Sequence, residues 1–250
     1  DIHLSTQANV LNYLDAQVFW DMGVKRIVVA REISLKDVME IKKHLPDMEI
    51  EIFVHGSMCF AYSGRCLISA VQMGRVPNRG SCANDCRFEY TLYAGNDEHG
   101  SLFRLEEEPG VGTYIFNSKD MNLASHIQEI LDSGAVDSLK IEGRTKSPYY
   151  AAVTAKAYRE AIDDYYAGKF EPEKYQKELH TTKNRGFTDA YLIHKPFEKT
   201  DSQNHDYALS KGSYEVTGLV TEDEHHFLCK YKVYPNEDIE IFTPHNTVLD

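Results

Sequence analysis

An α/β fold, built as a partial TIM-like β/α barrel and followed by a small antiparallel β domain, is the fold class that the sequence predicts. Short apolar runs alternate with helical segments through the first 168 residues. From about Lys169 the pattern changes: residues 181–195 are polar and turn-like, and after residue 212 short strand-like runs are separated by acidic turns. The 250 residues, 42% hydrophobic and 26% charged, suffice for one large domain with a small appendage. The predicted units are a partial barrel at residues 1–196, a linker at 197–212 and a β domain at 213–250.

The first 54 residues carry the pattern of three strands joined by two helices. Apolar residues recur at helical spacing over residues 10–21, and Gly23 is a typical stop for that helix. Ser34 and Asp37 resemble a capping box at the start of the second helix, which Pro46 ends. The strands are predicted at residues 2–4, 27–30 and 50–54. This order is that of right-handed β-α-β crossovers, which place parallel strands side by side.

The β-α pattern resumes after an irregular, cysteine-rich stretch. The predicted elements are a helix capped by Asn117 or Ser118 and ending at Gly134, a strand at 138–141, a helix opened by Ser147 and Pro148 and ending at Gly168, and a short helix at 173–180. Four β-α units correspond to half of an eight-unit barrel or to a doubly wound sheet.

The C-terminal pattern is that of a small antiparallel domain. Strands are predicted at residues 214–220, 227–233 and 239–242, with acidic turns between them. The chain starts at Asp1 without an initiator methionine and stops at Asp250 inside this pattern. We therefore expect that an N-terminal part, including the first barrel strands, is missing and that the β domain is incomplete.

The charge balance restricts the classes of partner. With 27 basic and 39 acidic residues, the net charge of −12 argues against a surface that coats nucleic acid nonspecifically. Residues 64–87 depart from this balance, because they contain four arginines and one acid. Guanidinium groups bind phosphates and carboxylates, so this patch suits an RNA loop or a small dicarboxylate. No apolar run approaches the roughly 18 residues that a membrane helix needs.

Four of the five cysteines lie in one stretch with the spacing Cys-x6-Cys-x15-Cys-x3-Cys, formed by Cys59, Cys66, Cys82 and Cys86. Four thiolates complete the ligand set of an iron–sulfur cluster or of structural zinc. Structural zinc pairs its ligands two to four residues apart on two tight turns, and only Cys82 and Cys86 have that spacing, so a cubane cluster fits better. Buried cysteines without a metal are the remaining alternative, and Cys229 is expected to be a packing residue. The count is odd, which suits a reducing compartment rather than disulfides.

Several motifs resemble the peptidase U32 family, the collagenase-like peptidases. They are the run 51–69 followed by Asn78 to Cys82, and the segments 3–7, 140–144, 147–150 and 184–188. The resemblance covers nearly the whole chain, and it implies a barrel-like α/β domain followed by a small β domain.

The resemblance also implies a function, on which the family divides. Members similar in the cysteine run hold a 4Fe–4S cluster on four such cysteines and act in oxygen-independent hydroxylation. The branch that this chain resembles most uses prephenate as the source of the hydroxyl group in converting the wobble uridine of tRNA to 5-hydroxyuridine. The implied partners are the tRNA anticodon loop and electron-transfer or cluster-assembly proteins, in the cytoplasm and without a membrane. A collagenase-like peptidase is the alternative function, and a non-catalytic scaffold that only carries a cluster is a third.

Candidate site residues follow from the strand ends, because ligands of parallel α/β folds bind beyond the carboxyl ends of strands. The candidates for catalysis are His55, Glu142 and Arg144, and those for substrate binding are Gln7, Arg31, Arg65, Arg79 and Arg87.

A peptidase needs an activated nucleophile or a metal-bound water. The sequence has no Gly-x-Ser-x-Gly and no His-Glu-x-x-His pattern, although Ser57 and Cys59 lie near His55. Cluster chemistry is therefore favoured over proteolysis.

Overall fold

A computed structural model of the chain describes residues 1–96, 98, 100–104, 116–194, 202–204, 212–214, 216–223 and 225–243. Its strands are β1 (His3–Leu4), β2 (Arg26–Val28), β3 (Glu49–Ser57), β4 (Tyr93–Asn96), β5 (Ser101–Arg104), β6 (Asp120–Asn122), β7 (Ser138–Ile141), β8 (Phe187–Thr188), β9 (Gly218–Val220) and β10 (Phe227–Cys229). Its helices are α1 (Tyr13–Asp21), α2 (Leu35–His44), α3 (Ile68–Met73), α4 (Ile127–Asp132), α5 (Pro148–Tyr166), α6 (Pro172–Leu179) and α7 (Ala190–Ile193).

Six strands form one sheet in the order β1-β2-β3-β6-β8, and β7 also pairs with β3. The pairs β1–β2, β2–β3 and β3–β7 are parallel, as expected for β-α-β crossovers. Two further antiparallel pairs, β4–β5 and β9–β10, stand apart from this sheet. The prediction of a partial barrel-like α/β fold with a small antiparallel sheet is confirmed.

The central strand β3 contacts three neighbours. Residues 49–51 pair with β2 and residues 51–55 pair with β7. The last three residues pair with β6 in an antiparallel register that sets His55 opposite Asn122 and Ser57 opposite Asp120. Residues directly opposite each other in an antiparallel pair present their side chains on the same face. The register therefore gathers these four polar side chains on one face, at the carboxyl end of β3.

The core lies on the face of β3 that carries Ile50, Ile52 and Val54, which are at most 1% exposed. The alternate positions carry Glu49, Glu51 and His55, so only one face of the strand is uniformly apolar. The helices pack their apolar stripes against the sheet: Val38 and Ile41 of α2, for example, are completely buried. Burial of this kind is the main favourable contribution to folding.

Local signals place the helix termini where the sequence predicts them. The Ser34 hydroxyl accepts a hydrogen bond of 3.2 Å from the Asp37 amide at the start of α2. Ser147 accepts one of the same length from the Tyr150 amide, and Pro148 occupies the first position of α5. Gly23 follows α1 with a φ of 88°, in the left-handed region that glycine favours.

Three sequence-based expectations need correction. Asn117 and Ser118 do not cap a helix, because residues 120–122 form β6, and the helical segment starts only at Ala124. The turn-like region predicted at 181–195 contains β8 and α7, and the third C-terminal strand predicted at 239–242 is absent from the described residues. Most of the linker predicted at 197–212 lies outside the described residues. The domain boundaries stay predictions.

The described C-terminal part is a hairpin of β9 and β10, and the chain after it returns to α5. The rings of Tyr149 and Phe242 meet edge to face, with centroids 5.9 Å apart, and the Lys156 ammonium lies 4.7 Å from the Phe242 centroid. Among the described residues, none of the helices combines the length and apolar character that a membrane crossing requires.

Candidate functional site

The cysteine loop, which we define as residues 59–86, begins where the central strand ends. β3 reaches Ser57, Met58 is buried beneath the loop, and Cys59 is the next residue. The loop contains α3 and the short 3-10 helix Pro77–Arg79, and the 3-10 helix Asp85–Arg87 closes it. The fold thus places the four cysteines at the carboxyl end of a parallel strand, where α/β folds bind their ligands.

The four loop cysteines are free thiols that lie close enough to influence one another. Burial raises the pKa of the Cys59 thiol, and Cys66 and Cys82 raise it further, whereas Arg31 and Arg87 oppose the shift. Burial likewise raises the pKa of the Cys86 thiol, with Cys59 and Cys82 adding to the effect. Each thiol therefore has at least one of the others within electrostatic range. Cys59 is nevertheless an exposed residue, so its thiol has many protein neighbours and is still accessible from the surface.

The donor set fits a multi-iron core better than a single ion. Within the described ranges, no three histidine, cysteine or acidic side chains converge tightly enough to hold one metal ion. A zinc ion with bonds of about 2.3 Å needs its four sulfurs within about 4 Å of one another. The Cys82 sulfur also accepts a hydrogen bond of 3.3 Å from the Asn84 amide, an interaction that tunes iron–sulfur clusters. Four cysteines that are linked electrostatically but form no tight single-ion site are a donor set that could hold a cluster.

The first turn of the loop is held against the rim of the sheet. Gly64 has a φ of 75°, and a Cβ on it would lie 2.0 Å from the Gln7 carbonyl oxygen, so only glycine permits this approach. The neighbouring Ser63 amide donates to the Glu32 carboxylate at 2.9 Å, and the Ser63 hydroxyl accepts from the Arg31 amide at 3.3 Å. The ends of β1 and β2 thus position the segment between Cys59 and Cys66.

The second half of the loop is organised by a buried serine and aspartate. The Ser69 hydroxyl donates a short hydrogen bond to Asp85 and accepts one of 3.1 Å from the Ala83 amide. The Asn78 amide group donates to the Cys66 carbonyl at 3.2 Å. These bonds tie α3 to the segment that carries Cys82 and Cys86, so the cysteines are fixed by loop structure rather than by sheet pairing.

His55 lies inside an aromatic cage. It is 1% exposed, and the rings of Tyr150, Tyr158 and Phe187 surround its imidazole at centroid distances of 5.4–5.7 Å. Burial lowers the pKa of His55 to about 3, so the ring is neutral at physiological pH. Ser57, two residues further on, makes no hydrogen bond with it in the described structure. This pair therefore lacks the contact that a serine peptidase requires.

The hydrogen bonds of Tyr158 fix the tautomer of His55. The Tyr158 hydroxyl donates to the Val54 carbonyl at 2.7 Å and accepts from the Leu123 amide at 3.0 Å. Because its single proton is given to Val54, the contact of 3.3 Å to His55 Nδ1 has the imidazole as donor. The Nε2 atom is left as a buried acceptor without a partner among the described residues.

A buried ion-pair cluster that the sequence did not predict lies on the sheet face that carries His55 and Ser57. Arg185 donates through Nε and Nη2 to Asp120, and the Lys146 ammonium lies 3.3 Å from the second carboxylate oxygen. Burial alone would raise the pKa of Asp120, but the charges of Arg185 and Lys146 outweigh it and lower that pKa. Burial lowers the pKa of Arg87, and the charge of Arg185 lowers it further. The second effect places Arg87 within electrostatic range of this cluster. No local sequence pattern predicts this ion-pair cluster, because Asp120 and Arg185 are distant in sequence.

The structure brings most of the predicted site residues to the cysteine loop. Glu142 follows β7, and its carbonyl lies against Gly56, where a Cβ would collide with it. Arg144 extends to the loop, since a Cβ on Gly80 would be 3.6 Å from its Nη1 atom. Arg31 lies over the Phe53 ring at 3.9 Å and within electrostatic range of Cys59. The catalytic and binding roles of these residues stay predictions.

Two predicted residues are placed differently. Arg65 and Arg79 are exposed, and their side chains form no hydrogen bond or ion pair with any described residue. Exposed aromatic rings accompany them: Phe60 is 47% exposed, Tyr62 65% and Phe88 48%. Such rings, next to unpaired guanidinium groups, form a surface on which unstacked bases can stack.

Comparisons with known proteins bear on the whole chain. The model of peptidase family U32 matches residues 1–202. The chain is 62% identical over 248 residues to "tRNA hydroxylation protein P" of Helicobacter pylori strain J99, an alignment that covers 99% of this chain and 59% of that protein. The protein of the same name in Escherichia coli K12 is 38% identical over 289 residues, with 99% and 63% covered.

A relative with a different name is more distant. The "Collagenase" of Porphyromonas gingivalis W83 is 32% identical over 206 residues, covering 77% of this chain and 48% of that protein. The chain spans about three fifths of the length of the two tRNA hydroxylation proteins, at 59% for the Helicobacter pylori protein and 63% for the Escherichia coli protein. None of the solved structures matches the chain.

Proposed function

The chain belongs to peptidase family U32, and from this premise we propose that it holds a 4Fe–4S cluster on Cys59, Cys66, Cys82 and Cys86 and acts in tRNA hydroxylation. The reaction we propose is the prephenate-dependent hydroxylation of the wobble uridine to 5-hydroxyuridine. The observation that carries the proposal is the convergence of four free thiols in one loop at the carboxyl end of β3. The names of the two more similar relatives support the choice of tRNA as substrate.

Within this proposal the cluster, when bound, supplies electron transfer or a Lewis-acidic iron. The chain's own residues hold it and shape its surroundings. Gly64 brings the segment between Cys59 and Cys66 against Gln7, and the Asn84 amide donates to the Cys82 sulfur. Arginines near the thiols oppose the rise of their pKa values, so they favour the thiolates that metal ligation requires.

The proposed RNA-binding surface is the exposed side of the loop. Phe60, Tyr62 and Phe88 are available to stack on the unpaired bases of an anticodon loop. Arg65 and Arg79 supply charges for its phosphates. The overall charge of −12 confines RNA binding to this patch. We further propose a cytoplasmic setting, whose reducing conditions keep all five cysteines free.

Metal content and tRNA analysis test the proposal together. Anaerobically purified protein should be brown and contain about four iron atoms per chain, and serine substitution of any loop cysteine should remove most of the iron. In a strain that lacks its own hydroxylation protein, the wild-type chain should restore 5-hydroxyuridine in tRNA, whereas Cys59→Ser should not. Cys229→Ser is the matched control, because this cysteine is exposed and lies on β10, apart from the loop. A colourless protein with stoichiometric zinc would contradict the cluster.

The peptidase alternative gives opposite results in the same preparations. It predicts gelatin cleavage that survives iron removal and is lost in Ser57→Ala. The neutral, buried His55 without a bond to Ser57 argues against this outcome. Iron-free protein that cleaves gelatin in a Ser57-dependent manner would replace the proposal.

A further inference from the structure

Arg185 is a fully buried guanidinium with an unused donor. It is 2% exposed, and its Nε and Nη2 atoms both bind Asp120. Its Nη1 atom is also buried and has no hydrogen-bond partner among the described residues. A buried donor without an acceptor costs on the order of 1–3 kcal/mol, and more when it is charged. An acceptor that is not part of the described protein therefore belongs beside Arg185.

The guanidinium of Arg87, close to Arg185, also has a buried donor without a hydrogen-bond partner among the described residues. The Nε atom of Arg87 is buried and without a partner in the part of the chain that the structure describes. Arg87 is close enough to Arg185 for the two charges to repel. Together with Lys146 they are three positive charges, and within the described ranges Asp120 is the carboxylate bound among them. The excess positive charge in a buried position calls for an anion.

The position of the two donors is beside the cysteine loop. Both arginines are within electrostatic range of Cys86, and Arg87 is also within range of Cys59. Asp120, which holds Arg185, is opposite Ser57 at the end of β3. A ligand that accepts from Arg87 and Arg185 would therefore lie next to the proposed cluster, where the reaction takes place.

We propose that Arg87 and Arg185 form a buried receptor for a carboxylate group of the small-molecule substrate and so position that molecule beside the cysteine loop. This inference deepens the proposed function and rests on it for the identity of the molecule. A planar carboxylate has two oxygens for two neighbouring guanidinium donors. A phosphate of the RNA backbone is disfavoured because Arg185 is enclosed by the protein, whereas Arg65 and Arg79 are exposed.

Calorimetric titration of the anaerobically prepared full chain tests the receptor. Prephenate is the probe, inorganic phosphate is the comparison anion, and the variants are Arg87→Gln and Arg185→Lys. Lysine keeps a charge for Asp120 but loses the guanidinium fork, and thermal unfolding monitors whether that variant stays folded. Arg159→Gln is the matched control, since this arginine is exposed on α5 and pairs with Asp163. We expect both site variants to bind prephenate at least about tenfold more weakly, with the control unchanged.

The outcomes separate this inference from the proposed function. Unchanged prephenate affinity in both site variants, with altered iron content or reduction potential, would overturn the receptor and assign the arginines to the cluster. Tighter binding of phosphate than of prephenate would overturn the choice of a carboxylate. Arginine-dependent prephenate binding by a protein that forms no 5-hydroxyuridine would support the receptor and refute the proposed function.

Discussion

Replacing Gly64 by alanine tests whether the contact with Gln7 is what shapes the metal site. Gly64 has a φ of 75°, and the new Cβ would lie 2.0 Å from the Gln7 carbonyl oxygen, where side-chain carbons essentially never come closer than 3.0 Å. The obstacle is backbone on both sides, so no rotamer change relieves it. The loop and the end of β1 must separate by about 1 Å, whereas metal–ligand distances tolerate only about 0.2 Å.

Gly74→Ala provides the matched control. Gly74 has nearly the same backbone conformation, with a φ of 66°, and lies in the same loop, but a Cβ there meets nothing within 4 Å. Both variants bear the roughly 1–2 kcal/mol cost of alanine in the left-handed region. Only Gly64→Ala adds the collision, which costs a further 1–3 kcal/mol or so by analogy with overpacked cores.

The assay is iron and sulfide content after anaerobic reconstitution, with visible absorption and thermal unfolding measured on the same samples. We expect Gly74→Ala to load iron like the wild type and Gly64→Ala to load less than about half as much while its sheet still unfolds cooperatively. Equal, full loading of both variants would refute the reasoning, because the cysteines would then be positioned without the Gln7 contact.

Two further predictions concern the buried charges. Asp120→Asn leaves Arg185 uncompensated, so urea unfolding should show a loss of about 3–5 kcal/mol, against less than about 1 kcal/mol for Asp163→Asn, whose pair is exposed. Folding lowers the pKa of Asp120, so the stability that its charge contributes is complete above about pH 3.9 and is lost as the pH falls through the folded pKa. Equal losses of stability in Asp120→Asn and Asp163→Asn would contradict the buried pair. The pKa of His55 falls from 6.5 to about 3 on folding, so between these values the unfolded chain binds one more proton and stability rises with pH by up to about 1.4 kcal/mol per unit. Unfolding titrations of His55→Gln across this range should lose that slope, and an unchanged slope would show that the histidine is not buried neutral.

The parts of the fold that depend on local interactions could be predicted from the sequence. The caps at Ser34 and Ser147 define α2 and α5 because each bond joins residues three apart. The grouping of the four cysteines in one loop could be predicted because they lie in one segment of the sequence; their role as metal ligands stays a prediction. The position of the loop at the end of β3 followed from the general rule for parallel strands.

The parts that depend on pairing between distant segments could not be predicted. β6 looks like the start of a capped helix, and it becomes a strand because β3 continues past Glu51, the last residue that pairs with β2, and offers an edge there. β8 is two residues long and exists only as a partner of β6. The pair of Asp120 and Arg185, and with it the buried anion site, depends on this same contact between distant strands.

The exposure of Cys59 contrasts with the burial of the Asp120 and Arg185 pair. If the cysteine loop holds a cluster as proposed, a carrier protein could deliver it to the folded chain from the Cys59 side, without opening the sheet. Dissolved oxygen would reach cluster-free thiols from that same side.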